Sequence, residues 1–209
     1  DCIQQTRPNV IGNTKNASWR TVFPSTTKEI VFNNSGECSF IPIIYIFKQV
    51  YQSDLSVKNI KTSLWKGYSK LFEIESNFNK ILSILRNQGK RSMVDRVKSN
   101  SLTFESLLFS EEYYITDFDW WVFCKTALLP VILFSSTNLK YLSTSLTWLK
   151  LGGKNIANEK FYFVRSPVDV KPNTSPAYHV LQPGMSFSEL KKDMFLLAER
   201  GDDSYRDNL

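Results

Sequence analysis

Residues 116–134 read TDFDWWVFCKTALLPVILF and predict a helix that runs directly into a buried strand. Thr116 is a typical helix N-cap, and Asp117 and Asp119 place acids in the first turn, where the helix dipole favours negative charge. Pro130 ends the helix because it lacks the backbone N–H that a helix interior needs. The apolar run VILF behind it has the length of a short, fully buried strand. This stretch indicates a fold that packs helices on a sheet.

Apolar periodicity before this stretch predicts further helices. The apolar segment FIPIIYIFKQVY suits a buried helix, and its Pro42 requires that helix to start at about Cys38. Apolar residues three or four apart then predict one or two amphipathic helices over 55–86, with Ser53 or Asp54 as the cap. Shorter helices are predicted over 91–98 and 102–109, and a capping box predicts a last helix over about 187–199.

Short runs rich in β-branched and aromatic residues predict the strands. They lie at 131–134, 147–151, 161–165 and 178–181, with one more near 19–23 in an otherwise irregular lead-in, and the run at 28–32 predicts a short strand or a turn. The order of elements predicts an α+β fold: a single domain over 1–209, with its core at about 28–182. We expect a small central sheet flanked by helices, with a helical arm over 55–109. Because no initiator Met is present, we also expect a fragment of a longer polypeptide.

The composition suits a domain with one hydrophobic core and a bias towards anionic partners. The 209 residues are 42% hydrophobic, and the formal net charge is +6. The 26 Lys and Arg are spread thinly, however, so nucleic-acid binding is the weakest of three functional hypotheses and rests on charge alone. No apolar run approaches the roughly 18 residues of a membrane span, and no membrane partner is predicted.

The chain holds three cysteines and one histidine, without a CxxC pattern. We therefore expect no metal site and no cofactor. The odd number of cysteines also argues against a disulfide framework, which favours a reducing compartment, the cytoplasm. Cys124 is expected in the core because it lies in the middle of a predicted helix, whereas Cys2 lies in a terminus that we expect to be loose.

Cys38 and His179 are the candidates for chemistry. A nucleophilic thiol needs a lowered pKa, which a helix N-terminus and a neighbouring imidazole can supply. Cys38 lies at the predicted helix start, and His179 is the sole histidine that could act as its base. Gly36 would let the backbone turn so that its amides converge on an oxyanion. The alternative is that Cys38 is a small buried apolar residue and His179 a structural residue of its strand.

Three segments resemble the ovarian tumour (OTU) proteases, a family of papain-like cysteine proteases that cleave ubiquitin or ubiquitin-like chains. The stretch GECSF at 36–40 resembles their G-x-C-x-F nucleophile motif. The stretch YITDFDWWVFCKTALLPVILFSS resembles their aromatic lead-in, helix and apolar strand, and SPAYHVL resembles their late histidine strand. The three segments occur in the family's order. The sequence is also similar in style to OTU-like domains within long polypeptides of large DNA viruses.

The resemblance implies an OTU-like fold and a thiol-dependent isopeptidase that removes ubiquitin or a ubiquitin-like modifier, in host-cell cytoplasm for a viral protein. Cys38 would be the nucleophile and His179 the general base. The backbone at Ser35, Gly36 and Glu37 would hold the oxyanion.

The sequence departs from the family at two positions. Ser35 replaces the usual Asp before the glycine, and Leu181 occupies the position two after the histidine, where many members carry the residue that orients the imidazole. We therefore place the candidates for this third catalytic member on nearby loops: Asn33, Asn34, Asp169 and Asn173. The alternative function is a catalytically degenerate OTU-like scaffold or interaction module, which binds other segments of its parent polypeptide.

Overall fold

The fold is built on one mixed β-sheet. The computed structural model describes residues 4–8, 28–32, 36–135, 147–152, 161–165, 171–182, 205–206 and 209. Its strands in these ranges are Gln4–Pro8 (β1), Lys28–Phe32 (β2), Val131–Ser135 (β3), Thr147–Leu151 (β4), Tyr162–Arg165 (β5) and His179–Gln182 (β6). Their spatial order is β1-β2-β6-β5-β3-β4. The β3–β5 pair is parallel and the other neighbours are antiparallel. The α+β class is therefore confirmed.

Strand β1 corrects the prediction of an irregular lead-in. It pairs antiparallel with β2 along its whole length, from Gln4 opposite Phe32 to Pro8 opposite Lys28. The polar sequence QQTRP shows no apolar alternation, so sequence periodicity could not reveal it. Its place at the edge of the sheet accommodates Pro8, which cannot donate to a ladder. The strand predicted near 19–23 and the helix predicted over 187–199 lie outside the described residues.

The helices agree with the predicted ones within a few residues. A short 3-10 helix, Gly36–Phe40, leads into Ile41–Tyr51 (α1). Then follow Val57–Phe72 (α2), Glu75–Asn87 (α3), Arg91–Lys98 (α4), Phe104–Phe109 (α5) and Asp117–Ala127 (α6). Pro42 lies in the first turn of α1, as predicted. Elements α2 to α5 occupy the range predicted for a helical arm.

The predicted cap of α2 was wrong by two or three residues. Ser56, and neither Ser53 nor Asp54, is the N-cap. Its hydroxyl accepts the backbone N–H of Asn59 at 3.1 Å, and the Asn59 side chain accepts the backbone N–H of Ser56 at 3.2 Å. This reciprocal box satisfies two N–H groups at the helix start, which a cap farther upstream would leave without partners.

Helices α1 and α6 cover one side of the sheet, here called the helix face. Side chains of successive strand residues point to opposite sides of the sheet, and side chains of directly paired residues on neighbouring strands point to the same side. Ile30 pairs with Val180, and both belong to the core that includes the helices. The ring of Tyr45 on α1 lies 5.9 Å from that of Phe32, and the Gln182 side chain donates to the Tyr45 hydroxyl at 2.5 Å. The opposite side of the sheet is called the far face.

Helix α6 is the centre of the core. Both Trp120 and Trp121 are buried, where at least one was expected. Asp119 at the start of α6 is also buried, and its carboxylate accepts the hydroxyls of Tyr68 and Tyr113 at 2.6 Å each and pairs with the Lys90 ammonium. Burial lowers the pKa of Lys90, and the attraction of Asp119 opposes this effect. Asp117 in the same turn accepts the hydroxyl of Tyr178 at 2.6 Å, so both acids have structural partners in the core.

Candidate functional site

Cys38 lies in the 3-10 helix before α1, where the sequence placed a helix start. Gly36 adopts a left-handed backbone conformation, with φ of +49°, that a glycine accommodates without strain. Cys38 is half-buried, and its sulfur is in a disulfide. A disulfide sulfur is not a nucleophilic thiolate, so the thiol chemistry of Cys38 is absent in this oxidised form.

The disulfide corrects the expectation of reduced cysteines. Cys124 is free and buried in α6, as expected of a core residue, and burial raises the pKa of its thiol well above the usual range. Cys2, the third cysteine of the chain, lies outside the described residues. An odd number of cysteines means that they cannot all be paired in disulfides, but it does not exclude a single disulfide between two of them. The expectation of reduced cysteines was wrong for this reason.

His179 belongs to a cluster of three buried side chains on the far face. Its Nδ1 lies 2.6 Å from Oε1 of Glu29 on β2. Arg165 on β5 holds the same carboxylate with two hydrogen bonds, Nε to Oε1 at 2.6 Å and Nη2 to Oε2 at 3.0 Å. Arg165 is the cross-strand partner of His179, and Glu29 is the partner of Leu181, two residues farther along β6. Sheet register therefore brings the three side chains together.

The cluster keeps Glu29 ionised. Burial alone would raise the pKa of Glu29, but the hydrogen bonds from His179 and Arg165 and the positive charge of the guanidinium outweigh it, so the pKa is lowered. A buried carboxylate at the Nδ1 of a histidine fixes the tautomer and the orientation of the ring, as in a catalytic triad. The arrangement can therefore orient a base.

Glu29 is a residue that the sequence reasoning missed. The predicted candidates for an orienting residue were all on loops, whereas Glu29 lies inside strand β2 and is 150 residues from His179 along the chain. A signal was present: Glu29 directly precedes the apolar run IVF in KEIVF, and a charged side chain buried in a strand needs a partner of opposite charge.

Cys38 and His179 are each bound to other groups in this form. Cys38 immediately precedes α1, whose Tyr45 packs on the helix face. The His179 ring lies on the far face and is hydrogen-bonded to Glu29. Within the described ranges no hydrogen bond links the His179 ring to Cys38.

Two more predicted site residues have structural contacts. The Glu37 carboxylate accepts the Lys61 ammonium at 3.2 Å. Asn173 has a left-handed backbone and donates its N–H to the carbonyl of Gly89 at 2.7 Å, while its side-chain oxygen accepts the N–H of Ser92 at 2.8 Å. Asn173 thus binds the first turn of α4. The remaining predicted residues, Ser35, Asn33, Asn34 and Asp169, lie outside the described ranges.

Comparisons with protein-family models, curated proteins and solved structures found no match for this chain. The OTU resemblance consequently stays a prediction from sequence. In the part of the chain that the structure describes, no group of three or more acidic, cysteine or histidine side chains is placed to hold a metal ion. No helix in that part has the length and apolar character needed to cross a membrane.

Proposed function

We propose that this chain is an interaction module that binds another protein and, in its oxidised form, performs no thiol chemistry. The supporting observation is that each of the two candidate groups is bound to another partner. The sulfur of Cys38 is held in a disulfide next to α1, and the ring of His179 is held by Glu29 on the far face. In this proposal the OTU resemblance extends to the order of elements but not to the chemistry.

The buried charges support a rigid scaffold as the basis of binding. Glu29 and Arg165 connect β2 and β5 through a bidentate ion pair across β6, and Asp119 connects α6 to α2 through Tyr68. Charge-assisted bonds with fixed geometry hold the elements of a fold in one arrangement. A preorganised surface loses less entropy on binding a partner. The natural partners are other segments of the parent polypeptide or a separate protein.

A second candidate, the isopeptidase, is favoured by the bond between Glu29 and His179. A reductant would first convert the disulfide to two thiols, and the Cys38 thiolate would then attack the isopeptide carbonyl of a ubiquitin or ubiquitin-like conjugate. His179 would protonate the departing lysine amine, and water would hydrolyse the thioester. This candidate corresponds to a reducing cytoplasm, whereas the oxidised module suits an oxidising compartment.

The two candidates are separated by a ubiquitin probe with a C-terminal electrophile, applied with and without dithiothreitol. The module predicts no adduct in either condition. The isopeptidase predicts an adduct on Cys38 after reduction, lost in Cys38→Ala and in His179→Ala. Cys124→Ser serves as the control for reaction at a core thiol. An adduct that needs both Cys38 and His179 would replace the module by the isopeptidase.

A further inference from the structure

A groove runs between α2, the turn that follows it, and α6. Its volume is about 520 Å³, within the range of pockets that take a small ligand or a few residues of a peptide. Leu71 and Val122 give it an apolar lining. Gly67 sets the close approach of the two helices, because a Cβ at this position would lie 2.5 Å from the Val122 Cγ1 atom.

The rim of the groove is positively charged. Lys66, Lys70 and Lys125 line it together with one acid, Glu73. Lys66 and Lys70 are exposed, and neither forms an ion pair within the described ranges. An excess of ammonium groups around a concave apolar surface attracts an anionic occupant and sets its orientation.

Asn77 supplies an independent indication of a ligand. The residue lines the groove and is 2% exposed. Its Nδ2 donates to the carbonyl of Leu71 at 2.9 Å, which fixes the orientation of the amide. Its Oδ1 is buried and has no hydrogen-bond partner among the residues that the structure describes. A buried acceptor without a donor is costly, so an occupant with an N–H group would satisfy it.

An apolar residue stands beside these polar groups. Ile74, at the N-cap of α3, also lines the groove and is 59% exposed, the largest exposure among the big apolar side chains in the described ranges. An exposed apolar side chain next to a cavity offers contact to an apolar group of a partner.

We propose that this groove docks an acidic segment of a partner protein. Carboxylates of the segment bind Lys66 and Lys70, an apolar side chain covers Ile74, and a backbone N–H donates to Asn77. The inference rests on the proposed interaction module and gives the chemistry of its partner. Single-stranded nucleic acid fits less well, because the indole of Trp121 in the groove is 1% exposed and offers no face on which a base could stack.

The test is phage display of a random dodecapeptide library on the full chain. Selected peptides are then measured by fluorescence anisotropy against the wild type and against the Lys66→Glu/Lys70→Glu variant. The matched control is Lys58→Glu/Arg91→Glu, which makes the same change in net charge at exposed positions outside the groove. We expect peptides with several acids around an apolar residue, at least tenfold weaker binding to the groove variant and less than twofold change in the control.

Three outcomes would overturn the groove assignment: no peptide is selected, the peptides are not acidic, or the groove variant binds as well as the control. A dT20 oligonucleotide that binds the wild type and loses affinity in the groove variant would instead assign the groove to nucleic acid. Peptides that bind outside the groove would agree with the proposed interaction module but would contradict the groove as its docking site. The proposed interaction module is contradicted by a different result, an adduct of the ubiquitin probe that needs both Cys38 and His179.

Discussion

The Nδ1 atom of His179 lies 2.6 Å from the Oε1 atom of Glu29, and this contact ties the sole histidine of the chain to the far face of the sheet. Arg165 completes the cluster by holding the same carboxylate. The Arg165 guanidinium compensates the charge of Glu29, which β2 would otherwise bury without a partner. The bond to Glu29 therefore holds the His179 ring in one orientation.

Replacing Glu29 by Gln should destabilise the fold. The guanidinium of Arg165 would remain buried without its counter-charge, and the loss of one partner of a buried pair costs about 3–5 kcal/mol. Urea unfolding followed by circular dichroism measures the change. Exposed Glu111→Gln is the control and should shift the free energy of unfolding by less than about 0.5 kcal/mol. Equal stability of the two variants would contradict the buried cluster.

The same carboxylate predicts acid sensitivity. The folded-state pKa of Glu29 is lowered, so its stabilising contribution is complete above the unfolded-state value of about 4.3 and is lost as pH falls through the folded pKa. The free energy of unfolding should therefore decrease below about pH 4.3, and by less in Glu29→Gln than in the wild type. Parallel pH profiles for the two proteins would show that Glu29 has no such linkage.

The buried pair of Lys90 and Asp119 predicts strong coupling. Asp119→Asn leaves an ammonium in the core without its charge partner, and Lys90→Met leaves a carboxylate that keeps the hydroxyls of Tyr68 and Tyr113. Each single change should cost several kcal/mol, about 3–5 for the first. The double variant should lose at least about 1 kcal/mol less than the sum of the singles. Simple additivity in urea unfolding would argue against the ion pair.

Replacing Gly67 on α2 by alanine should destabilise the fold, although alanine has a higher helix propensity than glycine. The added methyl group would meet Val122 on α6 at 2.5 Å, and overpacking of this kind costs about 1–3 kcal/mol. The expected result is a lower free energy of unfolding for Gly67→Ala, with partial recovery in Gly67→Ala/Val122→Ala. A stabilised single variant would mean that propensity, worth about 1 kcal/mol, outweighs the contact.

Sequence predicted the elements whose signals are local. Thr116 and Asp119 form the capping box that opens α6, and the buried strand after Pro130 is where the apolar run placed it. The edge strand β1 was missed because its residues are polar and its pairing with β2 is what makes it a strand.

The candidate site was less predictable because it depends on register and covalent pairing. Glu29 meets His179 through the alignment of β2 with β6, which no spacing in the sequence encodes. The oxidation state of Cys38 is likewise a property of the folded chain, since a nearby glycine and a helix start describe a thiol and a disulfide sulfur equally well.

The state of Cys38 is the most direct test of the central claim. The chain, purified in air without reductant, is unfolded in guanidinium with iodoacetamide and mapped by mass spectrometry without reduction. We expect Cys38 in a disulfide-linked peptide and Cys124 as an alkylated cysteine. Quantitative alkylation of Cys38 in this experiment would contradict the disulfide. It would show instead the free thiol that the isopeptidase needs.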